Sequence, residues 1–291
     1  TTEIYTLSLH DALPISRWEL TGGAGSTNFF GELGGSDKDG RQLLMDIDFR
    51  SSRPVFSVGL RYKVLEALAA RVNLSYAIVH GSDENTKNIF RSDRNLSFRS
   101  PIYEFATILE YSIIKEKVSH RYNLRRKKGF SLKGLHLNTY VFGGFGGFYF
   151  NPKAKYDGKW VALQPLGTEG QGLVETREKY KRVSVCLPFG FGVKYSINRN
   201  FAVGIEYGGR YTFTDYIDDV STTYVNNDWL RAERGDMVAD LADPSLKDNE
   251  ITTIYGAGDQ RGNPKYDDFY MFTQVTIVYK LRTGRSGLPK F

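Results

Sequence analysis

The sequence predicts an all-β fold, an antiparallel transmembrane β-barrel of about eight strands with long extracellular loops. Three observations predict it. The first is alternation. From Val183 the odd positions read Val183, Val185, Leu187, Phe189, Phe191, Val193, Tyr195 and Ile197. After a break at Asn198-Arg199-Asn200 they resume as Phe201, Val203, Ile205, Tyr207, Gly209, Tyr211 and Phe213. Period 2 over this length means two antiparallel strands joined by a tight turn. The second is that this face carries no charge, since Lys194, Glu206 and Arg210 all fall on even positions. A charge facing lipid at mid-depth costs about 2–4 kcal/mol, and each strand reaches the roughly 9–11 residues that a tilted crossing needs. The third is composition: 19 Tyr, 19 Phe and 30 Gly beside 3 Met favour strands over helices. Taken alone, the hairpin fits a soluble barrel or sandwich equally well, but that arrangement would put Lys194, Glu206, Arg210 and many glycines outside.

Along the chain, Arg17 to Leu33 reads as a first strand and Gly34 to Arg53 as a loop. Within that loop the alternation of Leu43, Met45, Ile47 and Phe49 allows a short extra strand. Pro54 to Val64 sets Phe56, Val58, Leu60 and Tyr62 against Ser57, Gly59, Arg61 and Lys63. A short turn through Leu65-Glu66 leads to Leu68–His80, which sets Val72, Leu74, Tyr76 and Ile78 against Arg71, Asn73 and Ser75. Gly81 to Leu96 is a charged loop. Ser97 to Ile114 carries Tyr103, Phe105, Leu109, Tyr111 and Ile113 on one face, with Glu104, Ala106, Glu110 and Ser112 on the other. Leu135 to Asn151 is a glycine-aromatic strand, its GGFGG core read as close packing inside a barrel rather than a nucleotide loop. Pro152 to Arg182 and Asp215 to Asp268 read as long loops flanking the central hairpin, and Phe269 to Leu281 is the last strand.

The connections then alternate. The second and sixth are short, and the first, third, fifth and seventh are long, as in outer-membrane barrels with long loops outside. The fourth, Lys115 to Lys133, falls on the short-turn side and is strongly basic, with Arg125, Arg126, Lys127 and Lys128 at its centre. These four are the candidate partner-docking residues, against a simpler reading as a solvated turn or one held to anionic headgroups; nucleic acid is not expected as a partner. Eight strands leave an interior just wide enough for side chains. The inward set contains Glu19, Arg61, Arg71, Glu104, Glu110, Lys194, Glu206 and Arg210. An unpaired buried charge costs several kcal/mol, roughly, so these eight are expected to pair into a structural network.

Residues 1–16, TTEIYTLSLHDALPIS, read like a translated sequencing adapter and are set aside as non-native. That leaves a barrel domain over 17–281 and a tail over 282–291. It also means that the signal peptide expected of an outer-membrane protein is missing from this sequence. Without Glu3 and Asp11 the formal charge rises from +6 to about +8. No run of 18 apolar residues exists, so no transmembrane helix is expected. Cys186 stands alone and reads as a buried, inert thiol. His80, His120 and His136 are too scattered for a local metal pair, and no nucleophile elbow, phosphate loop or metalloprotease motif occurs. No catalytic residue, cofactor or metal is expected, and the acidic residues of the seventh connection (Asp215, Asp218, Asp219, Asp228, Asp236, Asp240, Asp243) read as a solvated loop without calcium-loop spacing.

Four segments together resemble a known family: FGGFGGFYFNPKA (Phe142 to Ala154), WVALQPLGTEGQG (Trp160 to Gly172), PFGFGVKYSINRN (Pro188 to Asn200) and FTDYIDDVSTTY (Phe213 to Tyr224). They look like the PorG-like outer-membrane β-barrels of Bacteroidota, with the resemblance running from about Trp18 to Leu281. It implies a non-enzymatic outer-membrane anchor or scaffold of the type IX secretion and gliding machinery, with PorK- and PorN-like periplasmic ring proteins as partners beside the membrane lipid. The alternative is an outer-membrane ligand-binding or transport barrel that captures its ligand with its long outer loops.

Overall fold

The computed structural model describes residues 17–33, 51–85, 88–114, 137–246 and 256–281. Eight long strands form the wall. Five come first: Trp18–Phe30 (β1), Arg53–Lys63 (β2), Leu68–Ser82 (β3), Ser97–Ile114 (β4) and Leu137–Phe150 (β5). A small hairpin follows, Lys153–Tyr156 (β6) with Lys159–Ala162 (β7). The last three wall strands are Val183–Ser196 (β8), Phe201–Thr212 (β9) and Phe269–Lys280 (β10). Each wall strand pairs antiparallel with its neighbours in the order β3-β2-β1-β10-β9-β8-β5-β4, and β3 pairs with β4 to close the ring. The first and last strands meet along their whole length, from Glu19↔Lys280 to Phe30↔Phe269. The fold is therefore a closed eight-stranded antiparallel barrel in which every wall strand is paired on both sides.

The two tight turns close one end of this barrel. Leu65 N–H donates to Leu68 C=O at 2.9 Å. Asn198 Oδ1 accepts from the amides of Asn200 and Phe201 at 2.8 Å each, the side-chain-to-backbone bonding that makes Asn a turn former. At the same end Leu281 N–H donates to Trp18 C=O at 2.9 Å.

Alternation sorts the side chains as the period requires. Val58, Leu74, Phe105, Phe191, Ile205 and Ile277 are among an outward belt of large apolar groups that circles every strand of the barrel, with Val58 62% and Ile205 61% exposed. A band of this extent is incompatible with a water-facing surface and matches the lipid-facing girdle of a membrane barrel. The inward faces explain the glycine richness. A Cβ at Gly190 or Gly208 would strike the Phe142 ring, and one at Gly192 would strike Tyr140. Small residues on β8 and β9 therefore make room for the large rings of β5.

At the other end the loops are built structures rather than open coil. The β6/β7 hairpin lies within the Pro152–Arg182 stretch, and its turn is Asp157-Gly158 with φ of 46° and 77°, the Asp-Gly signature of a mirror-image turn. Lys153 also pairs with Arg99, so the hairpin extends the wall beyond β4. The third connection holds a helical turn, Ile89–Arg94 (α1). The seventh holds Asn227–Arg234 (α2) and Asp236–Ala242 (α3), separated by Gly235 at φ 88°. Asn226 caps α2 by accepting from Trp229 N–H at 2.8 Å. Leu241 of α3 packs with Ala154 and Leu163, so these helices rest on the β6/β7 hairpin. The expected short strand around Leu43–Phe49, the basic connection Lys115–Lys133, residues 1–16 and the tail after Leu281 lie outside the described residues.

Candidate functional site

From the turn end upward, the lumen holds ions first. Glu19 on β1 accepts from Arg61 on β2 at 2.5 Å, and Lys63 Nζ lies 2.7 Å from its other oxygen. Arg61 also lies 2.7 Å from Glu110 on β4, which Arg71 on β3 approaches at 3.2 Å. Arg71 reaches across the barrel to make a two-pronged contact with Glu206 on β9, at 2.8 and 2.9 Å. Lys194 on β8 stands 3.8 Å from Glu19, and Arg210 on β9 lies 3.2 Å from Glu104 on β4. All eight charged residues assigned inward by period 2 thus face the lumen and lie in ion pairs. Four carboxylates meet four cations, and Lys63 adds a partly exposed fifth. β3 and β9 stand on opposite walls of the ring, so the Arg71–Glu206 fork ties the barrel across its bore.

Tyrosines complete the network, a contribution that alternation alone does not single out. Tyr140 donates to Glu206 at 2.9 Å and Tyr270 to Glu104 at 2.8 Å. The Arg210 guanidinium lies 3.8 Å from the Phe272 ring centre, a cation–π contact. Cys186 is fully buried beside Glu104 and Tyr270, in keeping with an inert thiol.

Above the ions sits an apolar plug. Phe98, Ile102, Phe148, Phe150, Tyr270 and Phe272 point in from the upper strands, while Leu33, Leu96, Ile217 and Val220 dip in from the loops. Tyr180 and Tyr216 stack 4.4 Å apart at 10°, and Phe150 lies beneath Tyr180 at 6.2 Å and 4°, so three rings carry the plug into the loops.

Four loops lock together over this plug. Glu169 accepts from the amides of Ser221 and Thr222 at 2.9 and 3.1 Å, from the Thr222 hydroxyl at 2.6 Å and from Arg261 at 3.1 Å. Arg94 bridges Asp83 at 2.7 Å, Arg261 C=O at 2.9 Å and Glu32 C=O at 3.2 Å. Asp219 sits at φ 67°, a conformation that side-chain-bearing residues avoid. It is held there by the hydroxyls of Thr168 and Tyr180 at 2.5 Å each and by Arg261, which donates to its carbonyl at 2.5 Å. Arg234 donates to Leu166 C=O, fastening α2 to the fifth connection.

The rim of the plug carries a second set of carboxylates. Glu32 lies just beyond β1, Asp215 just beyond β9 and Asp268 just before β10. One carboxylate oxygen from each lies within 4.8 Å of the others. Asp218 stands beside them, its oxygens taken by the amides of Leu33 at 3.2 Å and Val220 at 3.0 Å. The three cluster members are less satisfied. Glu32 accepts from Asn263 N–H at 3.0 Å and Asp268 from Ile217 N–H at 2.7 Å. Among the described residues, Glu32 Oε2, Asp268 Oδ1 and both Asp215 oxygens are buried with no donor in hydrogen-bond geometry.

Burial, and after it the neighbouring charge of Glu32, pushes the Asp215 carboxyl up to about 8 and holds Asp218 well above the carboxylate range. Burial and then Asp218 do the same to Asp268. Burial raises Glu32, with the Asn263 amide and Arg94 opposing. Burial lifts Asp219 to about 6 against the pull of Arg261.

The sequence suggests a solvated loop for the acidic residues of the seventh connection, and the structure corrects this in part. Asp228 and Asp236 are exposed, but Asp215, Asp218 and Asp219 are buried. The cluster escapes notice because its members come from positions 32, 215 and 268, and no linear spacing joins them. The available signal is that each flanks a strand end, on β1, β9 and β10 respectively, which closure makes neighbours. Of the other candidates, His80 donates through Nδ1 to Phe98 C=O at 2.5 Å. Arg125, Arg126, Lys127 and Lys128 lie outside the described residues.

The sequence model of the family DUF6089, described as a domain of unknown function, matches residues 19–241. No curated protein matches the chain. Among solved structures, the chain is similar to Neisserial surface protein A at 9% identity and a TM-score of 0.37, over 90% of this chain and 96% of that one. A major outer membrane protein from Thermus thermophilus gives 10% identity and a TM-score of 0.38, over 90% and 98%. Ail of Yersinia pestis gives 10% identity and a TM-score of 0.35, over 90% and 97%. The barrel assignment rests on the strand pairing of this chain, and these likenesses add nothing to it.

Proposed function

The chain belongs to the DUF6089 family of domains of unknown function, and we propose that it is a non-enzymatic outer-membrane barrel of a Gram-negative cell that anchors other proteins at that membrane. The observation that carries this reading is the sealed bore. Ion pairs that cross the lumen, above all Arg71 with Glu206, lie under an aromatic plug that is itself roofed by interlocked loops. A barrel filled in this way is a poor conduit, which leaves its two end faces and its lipid-facing wall as the working surfaces. The outward belt supplies attachment to the membrane, worth about 25 cal/mol per Å² of apolar surface removed from water.

The resemblance to PorG-like barrels supports a narrower form of the proposal. In it the chain is a scaffold component of the type IX secretion machinery. Its periplasmic partners are ring proteins of the PorK and PorN kind, and the basic connection around Arg125, Arg126, Lys127 and Lys128 is the docking surface. Replacing these four by Gln tests it in cells. Partner recovery with the barrel should fall at least about tenfold, as expected when several rim charges that steer association are lost, while membrane insertion is kept. Unchanged recovery removes the docking assignment. Conductance of the purified barrel in planar bilayers would instead favour a transport barrel.

A further inference from the structure

We propose that Glu32, Asp215 and Asp268 form a calcium site that clasps the barrel's closing seam at its outer rim. The site is independent of the anchoring role and stands whether or not a partner docks.

The geometry suits a hard cation. The donors are all carboxylate oxygens, the set that selects calcium, magnesium or manganese over softer metals. Calcium holds oxygens at about 2.3–2.6 Å in flexible geometry, so two of its ligands stand up to about 5 Å apart. The three carboxylates of the rim fall inside that limit, at 4.8 Å or less. Magnesium needs a tighter octahedron at about 2.0–2.1 Å and keeps most of its water.

An acidic cluster alone would carry nothing, because exposed carboxylates gather often. This one is buried and unfinished. Asp268 is 1% exposed and Asp215 8% exposed, yet among the described residues Asp268 Oδ1 and both Asp215 oxygens meet no donor in hydrogen-bond geometry, the Ser221 hydroxyl standing near Asp215 outside that geometry. Among the described residues, no lysine or arginine forms an ion pair with any of the three, although Arg94 and Arg261 stand nearby and are engaged by Asp83 and Glu169. The amides of Asn263 and Ile217 fix one oxygen each of Glu32 and Asp268 and leave the other unpaired. The backbone makes room too, since a Cβ at Gly31 would collide with Asp268 Oδ1. Buried acceptors in this state cost free energy unless a proton or a cation satisfies them.

The position assigns the consequence. Glu32 follows β1, Asp268 precedes β10 and Asp215 follows β9, three adjacent strands that include the junction of first with last. A cation held there ties the start of the first connection to both ends of the seventh, and so fastens the roof to the wall. With three carboxylates and loop-borne ligands, the affinity expected is that of extracellular modules, a Kd of about 0.1–1 mM.

The test uses the full chain, folded in detergent and stripped with EDTA. Terbium luminescence excited through tyrosine, Tyr216 being adjacent to Asp215, should appear on addition of Tb3+ and be displaced by Ca2+ with one site per chain. At calcium about 100 times its Kd, cleavage of the roof by proteinase K should slow by about 100-fold where opening limits cleavage. Mg2+ at the same concentration should give far less protection. Asp215→Asn with Asp268→Asn should abolish both effects while the heat-dependent gel shift of the barrel persists. Should that pair fail to fold, Glu32→Gln, at a half-buried position, should weaken Ca2+ binding at least about tenfold. The proposal is overturned if Tb3+ gives the wild-type chain no luminescence that Ca2+ displaces, if Ca2+ at about 100 times its Kd gives no protection, if Mg2+ binds as tightly, or if the variants bind as well as wild type.

Discussion

Two groups of buried carboxylates occupy this barrel, and they are solved in opposite ways. In the lower lumen Glu19, Glu104, Glu110 and Glu206 each lie within ion-pair distance of an Arg or Lys. At the rim Glu32, Asp215, Asp218 and Asp268 gather without a cationic partner among the described residues; burial raises all four carboxyls, and repulsion within the group adds to it at the three aspartates. The lower group sits on regular strands, where period 2 places acids and bases face to face across the bore. The upper group sits on loop ends, where closure alone brings the residues together. In the lower arrangement every carboxylate meets a cation, although Glu104 Oε1 is buried without a donor among the described residues, whereas the upper one has no cation and calls for a proton or a metal.

The largest effect should come from breaking the complete group. Arg71→Met leaves Glu206 and part of Glu110 uncompensated in a packed bore, and should cost about 3–5 kcal/mol, read as a lower urea midpoint of the heat-shifted species. Adding Glu206→Gln to it should recover part of the loss, because a buried pair removed together costs less than one partner removed alone. A double variant as unstable as the sum of the singles would contradict the pairing.

Arg261→Ala comes next. It strips Glu169 and the Asp219 carbonyl of a charged donor, at about 2–3 kcal/mol, but only within the roof. Proteolysis of the loops should quicken while the barrel's urea midpoint holds.

A smaller effect of opposite sign is expected at the rim. In EDTA above about pH 8, where Asp215 is ionised, Asp215→Asn relieves repulsion with Glu32 and should be neutral or stabilising by about 1 kcal/mol, whereas an amide at Glu206 in the lumen should destabilise. Equal signs at the two places would erase the contrast.

A last effect, confined to the roof, is a pH dependence of its opening in EDTA. Asp219 faces Thr168, Tyr180, Arg261 and Glu169, and its carboxyl is raised to about 6. Its folded value lies above the unfolded one, so the folded roof binds more protons between the two. Asp219's contribution is then fully present at low pH and lost as pH climbs through about 4 to 6. Proteolysis should therefore quicken over that window, and Asp219→Asn should flatten this part of the profile.

The wall is legible from the sequence because a strand in a membrane barrel reports both its faces. Phe105 and Glu104 are neighbours in sequence and face lipid and lumen respectively, which alternation states directly. The roof is not legible, for physical reasons. Asp157-Gly158 carries a turn signal, but the four-residue strands beside it are too short to show a period. The helices after Asn226 and Gly235 are shorter than the span over which amphipathic spacing stands out. Cys186, by contrast, is legible as a buried thiol from its strand position alone.

Heat-modifiability in fractionated membranes, with an export signal supplied and residues 1–16 removed, tests the closed membrane barrel itself. The protein should be recovered in the outer membrane, with a band that shifts on boiling as a closed barrel unfolds. Recovery in the soluble fraction with no shift would contradict a membrane barrel, because the apolar belt from Val58 to Ile277 would then have to face something other than lipid.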